Sequence, residues 1–453
     1  MKKLRSIYIT ALCSAFLLTA CNKQLDLKPF QQIEQDQAIL TSTDVQITLV
    51  GAYNRLGQSD AYGGGVFLNP DLLATQSVVD WQGTFLGLTQ IVSQNIPNNN
   101  TFVTNQWLAC YQVINQTNNV IANLDKAEAA QKDRMEGEAK FLRGLVYFDL
   151  VRDFGKAYND GSPATNLGVP LVLTPTKSVD ETSQVARATV EAVYQQVITD
   201  LTDAESKLPA ANGSYATKNA AAAILARVYL QKGDYTNAIA AATRVISSGR
   251  YQLNTDYADE FPYPGQVHVD NTPEDIFAVQ VTSQQGTNAL NTYYAAADNS
   301  GRGDIIIRDN FVDEFEADDD RLSVYNLDTD DLLRVNKFDN VYGNVHVIRY
   351  AEMFLIRAEA NFRLSTVSGA TPLADVNRIR ARAKLAPLTA VTLPAILKER
   401  RLELAFEGGF FLHDAKRLGQ NVGGLPSTSP KLVFPIPLRE INANPKLVQN
   451  EGY

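Results

Sequence analysis

The sequence predicts a mostly α-helical protein: a tetratricopeptide-like helical repeat scaffold that carries a loop-rich face with short strands. Small and apolar residues recur at three- and four-residue steps in several long stretches, as they do on the buried side of a helix. The clearest stretch, residues 219–253, is broken once, at Gly233-Asp234, which predicts a hairpin of two helices. Between residues 254 and 344 the chain is rich in Asp, Asn, Tyr and Gly, which favours loops.

The hairpin at residues 219–253 matches the tetratricopeptide repeat in part. Leu225, Ala226, Tyr229 and Ala238 fall at the signature offsets of that repeat, and the small residues let two helices approach closely. The signature tryptophan and the closing proline are absent, so an ordinary helical hairpin remains the alternative. Gly249 suits the position just after the second helix, where φ is often positive.

The first twenty residues predict export. Lys2, Lys3 and Arg5 precede a short apolar run, residues 7–20, which is too short to span a bilayer and is typical of a signal peptide. The run ends in Leu-Thr-Ala followed by Cys21, an arrangement similar to the bacterial lipobox, in which the cysteine accepts lipid. A plain secretory signal with an accidental cysteine is the alternative. Acyl chains on Cys21 would anchor the mature chain to a membrane.

The cysteine count bears on disulfide bonds, and the net charge bears on the kinds of molecule that the chain can bind. After loss of Cys13 with the signal and lipidation of Cys21, only Cys110 remains, so no intramolecular disulfide is expected. The formal net charge of −9 argues against nucleic acid and against binding anionic lipid through basic patches. We divide the chain into a signal peptide (1–20), an N-terminal region of helical hairpins (21–253) and a C-terminal region with the insertion (254–453), which together form one compact unit.

The periodicity also predicts the remaining elements in order. A helix is expected at 43–56, capped by Asp44 or Thr43, and residues 58–97 are expected to be irregular. Further helices are expected around Trp107 to Ile121 and at 135–154, 189–208, 347–364, 372–383 and 393–406. The insertion contains short strand-like runs at 276–282 and Ile305–Ile307, and the C-terminus is expected to be extended.

Catalytic motifs are nearly absent from the sequence. Its three histidines, His268, His346 and His413, stand alone in different regions, and no metalloprotease, serine-hydrolase or P-loop spacing occurs. We therefore expect neither an enzyme nor a cofactor. The acidic run 318–320 lacks the spacing of a calcium loop and is interpreted as a solvated turn. The charges of residues 399–407 are interpreted as surface or interhelix ion pairs.

Five segments carry motifs that occur in a fixed order: 25–29 (LDLKP), 139–155 (AKFLRGLVYFDLVRDFG), 348–360 (IRYAEMFLIRAEA), 399–408 (ERRLELAFEG) and 434–437 (FPIP). In content and order they resemble the SusD/RagB family of outer-membrane nutrient-binding lipoproteins of Bacteroidetes, over essentially the whole mature chain. One departure follows Gly408. Where the family shows an arginine, an aromatic residue and Asp-Leu, this chain has GFFLHD at 409–414, which we interpret as variation in a structural turn.

The resemblance implies a function without bond chemistry. It implies four tetratricopeptide-like helical pairs, a location on the outer membrane facing the cell exterior, and a role as a lid on a SusC-like TonB-dependent transporter. The lid would capture an oligosaccharide or another nutrient and deliver it to the transporter. A surface scaffold that binds another protein through its repeats is the alternative, and a lipid-anchored glycosidase is a third, weaker one.

Aromatic residues in irregular segments are the candidate ligand contacts, because an aromatic face presents apolar surface to the C–H face of a sugar ring. Trp81, Tyr293 and Tyr294 are the main candidates, and Tyr62, beside three glycines, is a weaker one. The indole of Trp81 serves either as a binding platform or as a loop anchor. Trp107 falls on a helical stripe and is assigned to packing.

Overall fold

The computed structural model describes residues 39–177, 180–284 and 286–453, and within them fifteen α-helices dominate eight short strands. This confirms the predicted fold class. The chain divides into Met1–Leu40 and Thr41–Tyr453. Only residues 39 and 40 of the first unit are described, so the predicted signal peptide, Cys21 and the motif at 25–29 lie outside the described residues.

The elements are numbered in chain order. The helices are α1 (Ser42–Leu56), α2 (Gly65–Ala74), α3 (Leu86–Val92), α4 (Thr101–Ala122), α5 (Ala129–Phe154), α6 (Val190–Lys207), α7 (Lys218–Lys232), α8 (Tyr235–Ser247), α9 (Ala289–Tyr294), α10 (Asp309–Val312), α11 (Tyr350–Leu364), α12 (Pro372–Arg382), α13 (Leu393–Glu403), α14 (Phe410–Leu418) and α15 (Leu438–Ala443). The strands are β1 (Val79–Trp81), β2 (Leu167–Pro170), β3 (Arg187–Thr189), β4 (Asp275–Val279), β5 (Ile305–Ile307), β6 (Tyr325–Leu327), β7 (Leu333–Val335) and β8 (Val345–Arg349). The strands pair antiparallel as β1–β5, β2–β3, β4–β8 and β6–β7.

Helix α1 begins one residue before the predicted start, and its cap differs from the prediction. Thr41 is the N-cap: its hydroxyl accepts from the Asp44 N–H, and the Asp44 carboxylate accepts from the Thr41 N–H at 2.9 Å. This reciprocal pair is a capping box, which satisfies two backbone donors that the first helical turn leaves free. The predicted caps Asp44 and Thr43 are therefore wrong, because both residues lie inside the helix.

The prediction of an irregular segment at 58–97 is also wrong, because α2, β1 and α3 lie within it. All residues from Val66 to Leu73 in α2 are buried, including Pro70 in the helix interior. A helix that is buried on every side shows no amphipathic period, and proline argues against a helix. For both reasons, the spacing of apolar residues does not predict α2.

The helical scaffold follows the predicted order of hairpins. Helices α4 and α5 pack against each other, α6 packs on α5 and α7, and α8 packs on both α7 and α11. In the hairpin of α7 and α8, Gly233 ends α7 with φ 78°, and the Asp234 side chain caps α8 by accepting from the Asn237 N–H. Gly249 has φ 64°, the left-handed conformation expected after α8.

Two further predictions of secondary structure are wrong, one at residues 347–349 and one at residues 409–414. The predicted helix 347–364 begins as strand β8, and the helix proper starts at Tyr350. Residues 409–414 form the start of a helix, α14, rather than a simple turn. Gly409 caps α14 with φ 66°, and a Cβ there would lie 2.7 Å from Pro70 Cγ, so only glycine fits without displacing α2. Among the described residues, no helix is both long and apolar enough to cross a membrane.

Candidate functional site

Two distant segments of the chain meet at a two-stranded ladder. Strand β1 pairs antiparallel with β5, so that Trp81 lies opposite Ile305, and the ladder continues where the Gln82 N–H donates to the Asp304 carbonyl at 2.8 Å. Helix α3 follows β1, and helix α9 with its following turn precedes β5. The ladder therefore holds the side chains of α3, α9 and both strands against one another.

The residues brought together form what we call the aromatic platform: Trp81, Phe85 and Tyr293. The ring centroids of Trp81 and Tyr293 are 6.5 Å apart, and those of Phe85 and Tyr293 are 6.0 Å apart. Phe85 is 38% exposed, and Leu86 beside it is 71% exposed. Trp81 and Tyr293 are partly buried. Two of the candidates predicted from separate parts of the sequence thus share one surface.

Arg302 lies at the edge of the aromatic platform. Its guanidinium carbon is 4.7 Å from the Phe85 ring centroid, a cation–π contact. Its Nε donates to the Asp304 carboxylate at 2.9 Å, and its Nη2 donates to the Thr84 hydroxyl at 3.0 Å. These bonds fix an exposed guanidinium beside the exposed ring of Phe85. The platform therefore combines apolar faces with a positioned hydrogen-bond donor.

The indole of Trp81 is held in place from two sides. Its Nε1–H donates to the Thr89 hydroxyl on α3 at 2.9 Å. A Cβ on Gly83 would lie 2.1 Å from the Trp81 ring carbon Cζ2, so the Gly83 backbone sits directly against the ring. Glycine is required there because any side chain would displace the indole. Trp81 therefore anchors its own turn while it remains partly exposed.

The structure corrects two of the predicted contacts. Tyr62 is fully buried, and its hydroxyl donates to the Leu145 carbonyl and to the Asp149 carboxylate. Tyr294 is 1% exposed and packs between Phe338 and Phe406, at 4.9 and 5.7 Å between ring centroids. Neither ring can contact a ligand at the surface of the folded chain.

The assignment of Trp107 to packing is confirmed. Trp107 is 3% exposed, and its ring lies against Tyr111 and Phe154. The predicted contacts include neither Arg302 nor Phe85. The sequence predicts the strand-like run Ile305–Ile307 but not its partner β1. Without that pairing, the sequence gives no sign that Arg302 lies beside Phe85.

The charged segment 399–407 is a buried ion-pair network rather than a surface. Glu403 is fully buried, and its carboxylate pairs with Arg382 and with Arg349, the latter at 3.3 Å. Glu407 accepts from Arg349 and from Lys337, both at 2.6 Å. Burial by itself would raise the pKa of Glu403, but the surrounding arginines outweigh it and hold that pKa at about 2.

This network corrects the surface interpretation and supports the interhelix one. It ties α13 and the turn that follows it to β8, α12 and the segment after β7, so these charges connect elements of the fold. All the carboxylate and guanidinium groups named in it have partners inside the protein. Arg401 is the one partly exposed charge of the segment, and its Nε pairs with the Glu314 carboxylate at 2.8 Å.

The acidic run 318–320 is only partly a solvated turn. Asp318 is exposed, but Asp319 is 3% exposed and its carboxylate accepts from Arg321 Nε at 2.8 Å. Asp320 accepts from the Tyr257 N–H at 2.9 Å and from Lys384 at 2.6 Å. Two of the three carboxylates are therefore committed to protein partners, and the run does not present a set of free oxygen ligands.

Comparisons with known proteins agree in sequence and in structure. A family model described as "Starch-binding associating with outer membrane" matches residues 23–230, and the SusD family model matches residues 334–421. A SusD-like protein of Formosa agariphila is 25% identical to this chain, and the match covers 100% of both proteins. A SusD-like protein of Bacteroides ovatus is 26% identical over 66% of this chain and 63% of that protein.

Solved structures show the same fold. A putative sugar binding protein from Bacteroides vulgatus superposes with a TM-score of 0.81 at 26% identity, covering 92% of this chain and 99% of that one. A SusD superfamily protein from Bacteroides thetaiotaomicron superposes with a TM-score of 0.79 at 28% identity, covering 90% of this chain and 99% of that one.

Proposed function

The chain belongs to the SusD/RagB family, and from that membership we propose that it is a nutrient-binding outer-membrane protein that captures an oligosaccharide. The single observation that carries the choice of ligand is the aromatic platform of Trp81, Phe85 and Tyr293. Side chains from two segments far apart in the chain converge there at the surface. The similarity to a putative sugar binding protein supports the same choice.

The platform offers the two kinds of contact that a sugar ring needs. The rings present apolar faces to the C–H groups of a pyranose. Exposed polar side chains around them, Gln82, Thr84 and Arg302, supply partners for its hydroxyls. Hydroxyls that are buried against the platform need such partners, because a buried polar group without a hydrogen bond is costly. Burial raises the pKa of the Tyr293 hydroxyl, so it stays protonated at neutral pH and can donate.

Delivery completes the proposal. We propose that acyl chains on Cys21 anchor the mature chain to the outer membrane with its ligand surface facing the cell exterior. A SusC-like TonB-dependent transporter would then receive the oligosaccharide from the platform. The net charge of −9 does not distinguish among neutral ligands, so the choice of sugar depends on the platform.

A glycan array followed by product analysis tests the proposal against its alternatives. The purified protein should bind one group of related oligosaccharides and leave them unhydrolysed. Hydrolysis of a bound glycan would favour the lipid-anchored glycosidase. Failure to bind any oligosaccharide, together with specific capture of a protein other than a transporter, would favour the repeat scaffold and contradict the proposal.

A further inference from the structure

Three potential metal ligands meet inside the loop-rich region, and none of them belongs to the aromatic platform. They are Glu260, at the end of the short 3-10 helix Tyr257–Glu260, Asp275 on β4 and His346 on β8. His346 Nδ1 lies 2.6 Å from Asp275 Oδ1 and 3.5 Å from Glu260 Oε1. All three ligand atoms lie within 4.8 Å of one another. The prediction that each histidine stands alone is therefore wrong for His346.

Glu260 has an open oxygen in this cluster. Its side chain is fully buried, and its Oε2 accepts from Asn254 Nδ2 at 2.6 Å and from the Thr272 hydroxyl. Its Oε1 has no hydrogen-bond partner in the part of the chain that the structure describes, and it faces His346. A buried carboxylate oxygen with no donor is unfavourable unless a proton or a cation occupies the position beside it.

The neighbouring cations do not fill this position. Arg349 bonds Glu274, Glu403 and Glu407, while Arg382 bonds Glu274 and Glu403. Lys337 bonds Glu407. Among the described residues none of these three cations contacts Glu260 or Asp275, whose only basic neighbour within ion-pair distance is His346. The cluster therefore holds two buried carboxylates and one imidazole without a dedicated cation.

We propose that Glu260, Asp275 and His346 bind one divalent transition-metal ion of the zinc type. One imidazole nitrogen with two carboxylate oxygens suits zinc and its neighbours in the first transition row better than calcium or magnesium, which prefer oxygen ligands alone. Zinc binds such ligands at about 2.0–2.2 Å, which places tetrahedral ligand atoms roughly 3.3 Å apart. The His346–Glu260 distance of 3.5 Å already suits this geometry.

Binding requires two local changes. The 2.6 Å separation of His346 Nδ1 and Asp275 Oδ1 has to lengthen by less than about 1 Å to admit the ion. Nδ1 has to present its lone pair to the ion, so the neutral imidazole of His346 carries its hydrogen on Nε2; the proton moves from Nδ1 to Nε2 with no net release. A small cavity of about 10 Å³ adjoins the cluster, with Asp275, His346 and Lys337 in its lining, and has the volume that one water needs as a fourth ligand.

The ion would join three separate segments of the loop-rich region. Residues 261–274 form the loop between Glu260 and Asp275, and Gln266 in this loop donates to the Asn299 carbonyl at 3.1 Å and to the Asp339 carbonyl at 3.0 Å. Closing the base of the loop with a metal would therefore stabilise the segment that follows α9. This role is structural and is independent of the proposed glycan binding.

Cobalt titration of the chelator-treated protein tests the site, because Co²⁺ bound by nitrogen and oxygen ligands gives visible absorption bands. We expect one Co²⁺ per chain, displacement by Zn²⁺, and a higher melting temperature with either ion. Glu260→Gln and His346→Gln should each weaken Co²⁺ binding by about tenfold or more. His268→Gln is the matched control, because His268 is exposed and outside the cluster, and it should leave binding unchanged.

Several results would overturn the inference. They are the absence of stoichiometric Co²⁺, equal binding by the Glu260→Gln and wild-type proteins, or equal stabilisation by Ca²⁺. The metal-free variants show whether a loss of binding reflects a loss of fold. Glu260→Gln removes a buried carboxylate that lacks a cation, so without metal it should melt no lower than the wild type. If that variant fails to fold, His346→Gln decides alone.

Discussion

Trp81 and Tyr293 lie with their ring centroids 6.5 Å apart and their planes inclined at 41°, although one follows α2 and the other lies on α9. The β1–β5 ladder makes this contact possible, since it sets Trp81 opposite Ile305, at the end of the turn that follows α9. A surface assembled in this way depends on the fold for its geometry. Rigid elements that carry exposed side chains are a common basis for ligand recognition.

The close packing of the α7–α8 hairpin leads to the first prediction. Ala226 on α7 and Ala238 on α8 are both fully buried, so there is no room for a larger side chain between the two helices. Ala238→Leu should lower the free energy of unfolding by about 1–3 kcal/mol through overpacking. Chemical denaturation measures the change. Ala240→Leu is the matched control on the same helix, because Ala240 is exposed and should tolerate leucine. Equal stability of the two variants would show that Ala238 is not confined.

The second prediction concerns pH and Asp414. Arg400 Nε and Arg417 Nε donate to this carboxylate at 2.8 and 2.6 Å. Burial would raise the pKa of Asp414, but the two arginines outweigh it and hold it at about 2. Because the folded pKa lies below the unfolded value of about 3.9, the resulting stability is present above that value and is lost as pH falls towards 2.

Asp414→Asn should therefore lose roughly 2 kcal/mol of stability at pH 7 and show a shallower loss between pH 5 and pH 2 than the wild type. Urea titrations at pH 7 and pH 3 measure both effects. Asp318→Asn is the control, because Asp318 is exposed and should leave the pH dependence unchanged. If the free energies of unfolding of the wild type and of Asp414→Asn fall in parallel down to pH 2, protonation of Asp414 is not the cause of the loss of stability.

The third prediction concerns the anchor. Leu-Thr-Ala followed by Cys21 after a basic start predicts lipidation of that cysteine. Cys21→Ala should yield a chain that partitions into the aqueous phase on detergent extraction, whereas the wild type enters the detergent phase. Cys110→Ala is the control, since Cys110 is buried and cannot accept lipid in the folded chain. A Cys21→Ala protein that still enters the detergent phase would place the anchor elsewhere.

The amphipathic helices could be predicted because one face of each is buried and the other is solvated. Helix α1 shows this clearly: Val45, Leu49, Ala52 and Leu56 are buried at three- and four-residue steps. The same logic could not find α2, since its residues 66–73 are buried on all sides. A hydrophobic period of 3.6 residues arises when one face of a helix is buried and the other is solvated. A helix without a solvated face therefore shows no such period.

Some residues of the candidate site could be predicted from the sequence, but which of them come together at the surface could not. Trp81 and Tyr293 stood out as aromatic residues in irregular segments, and both belong to the platform. Tyr62 and Tyr294 stood out for the same reason but are buried, because packing of distant segments decides which aromatic residues remain at the surface. Arg302 gave no local signal at all. Its position depends on a β-ladder between segments that no local pattern connects.

Calorimetric titration of the wild type and of Trp81→Ala, with the oligosaccharide that binds best on the glycan array, tests glycan capture most directly. The variant should bind more weakly by about 1–3 kcal/mol, the loss expected on truncation of an interface anchor. Trp107→Phe is the control: it should lower the melting temperature because Trp107 is buried, yet leave the affinity of the folded protein unchanged. If Trp81→Ala melts early but binds the oligosaccharide as tightly as the wild type, Trp81 is only a structural anchor and the aromatic platform is not the glycan site.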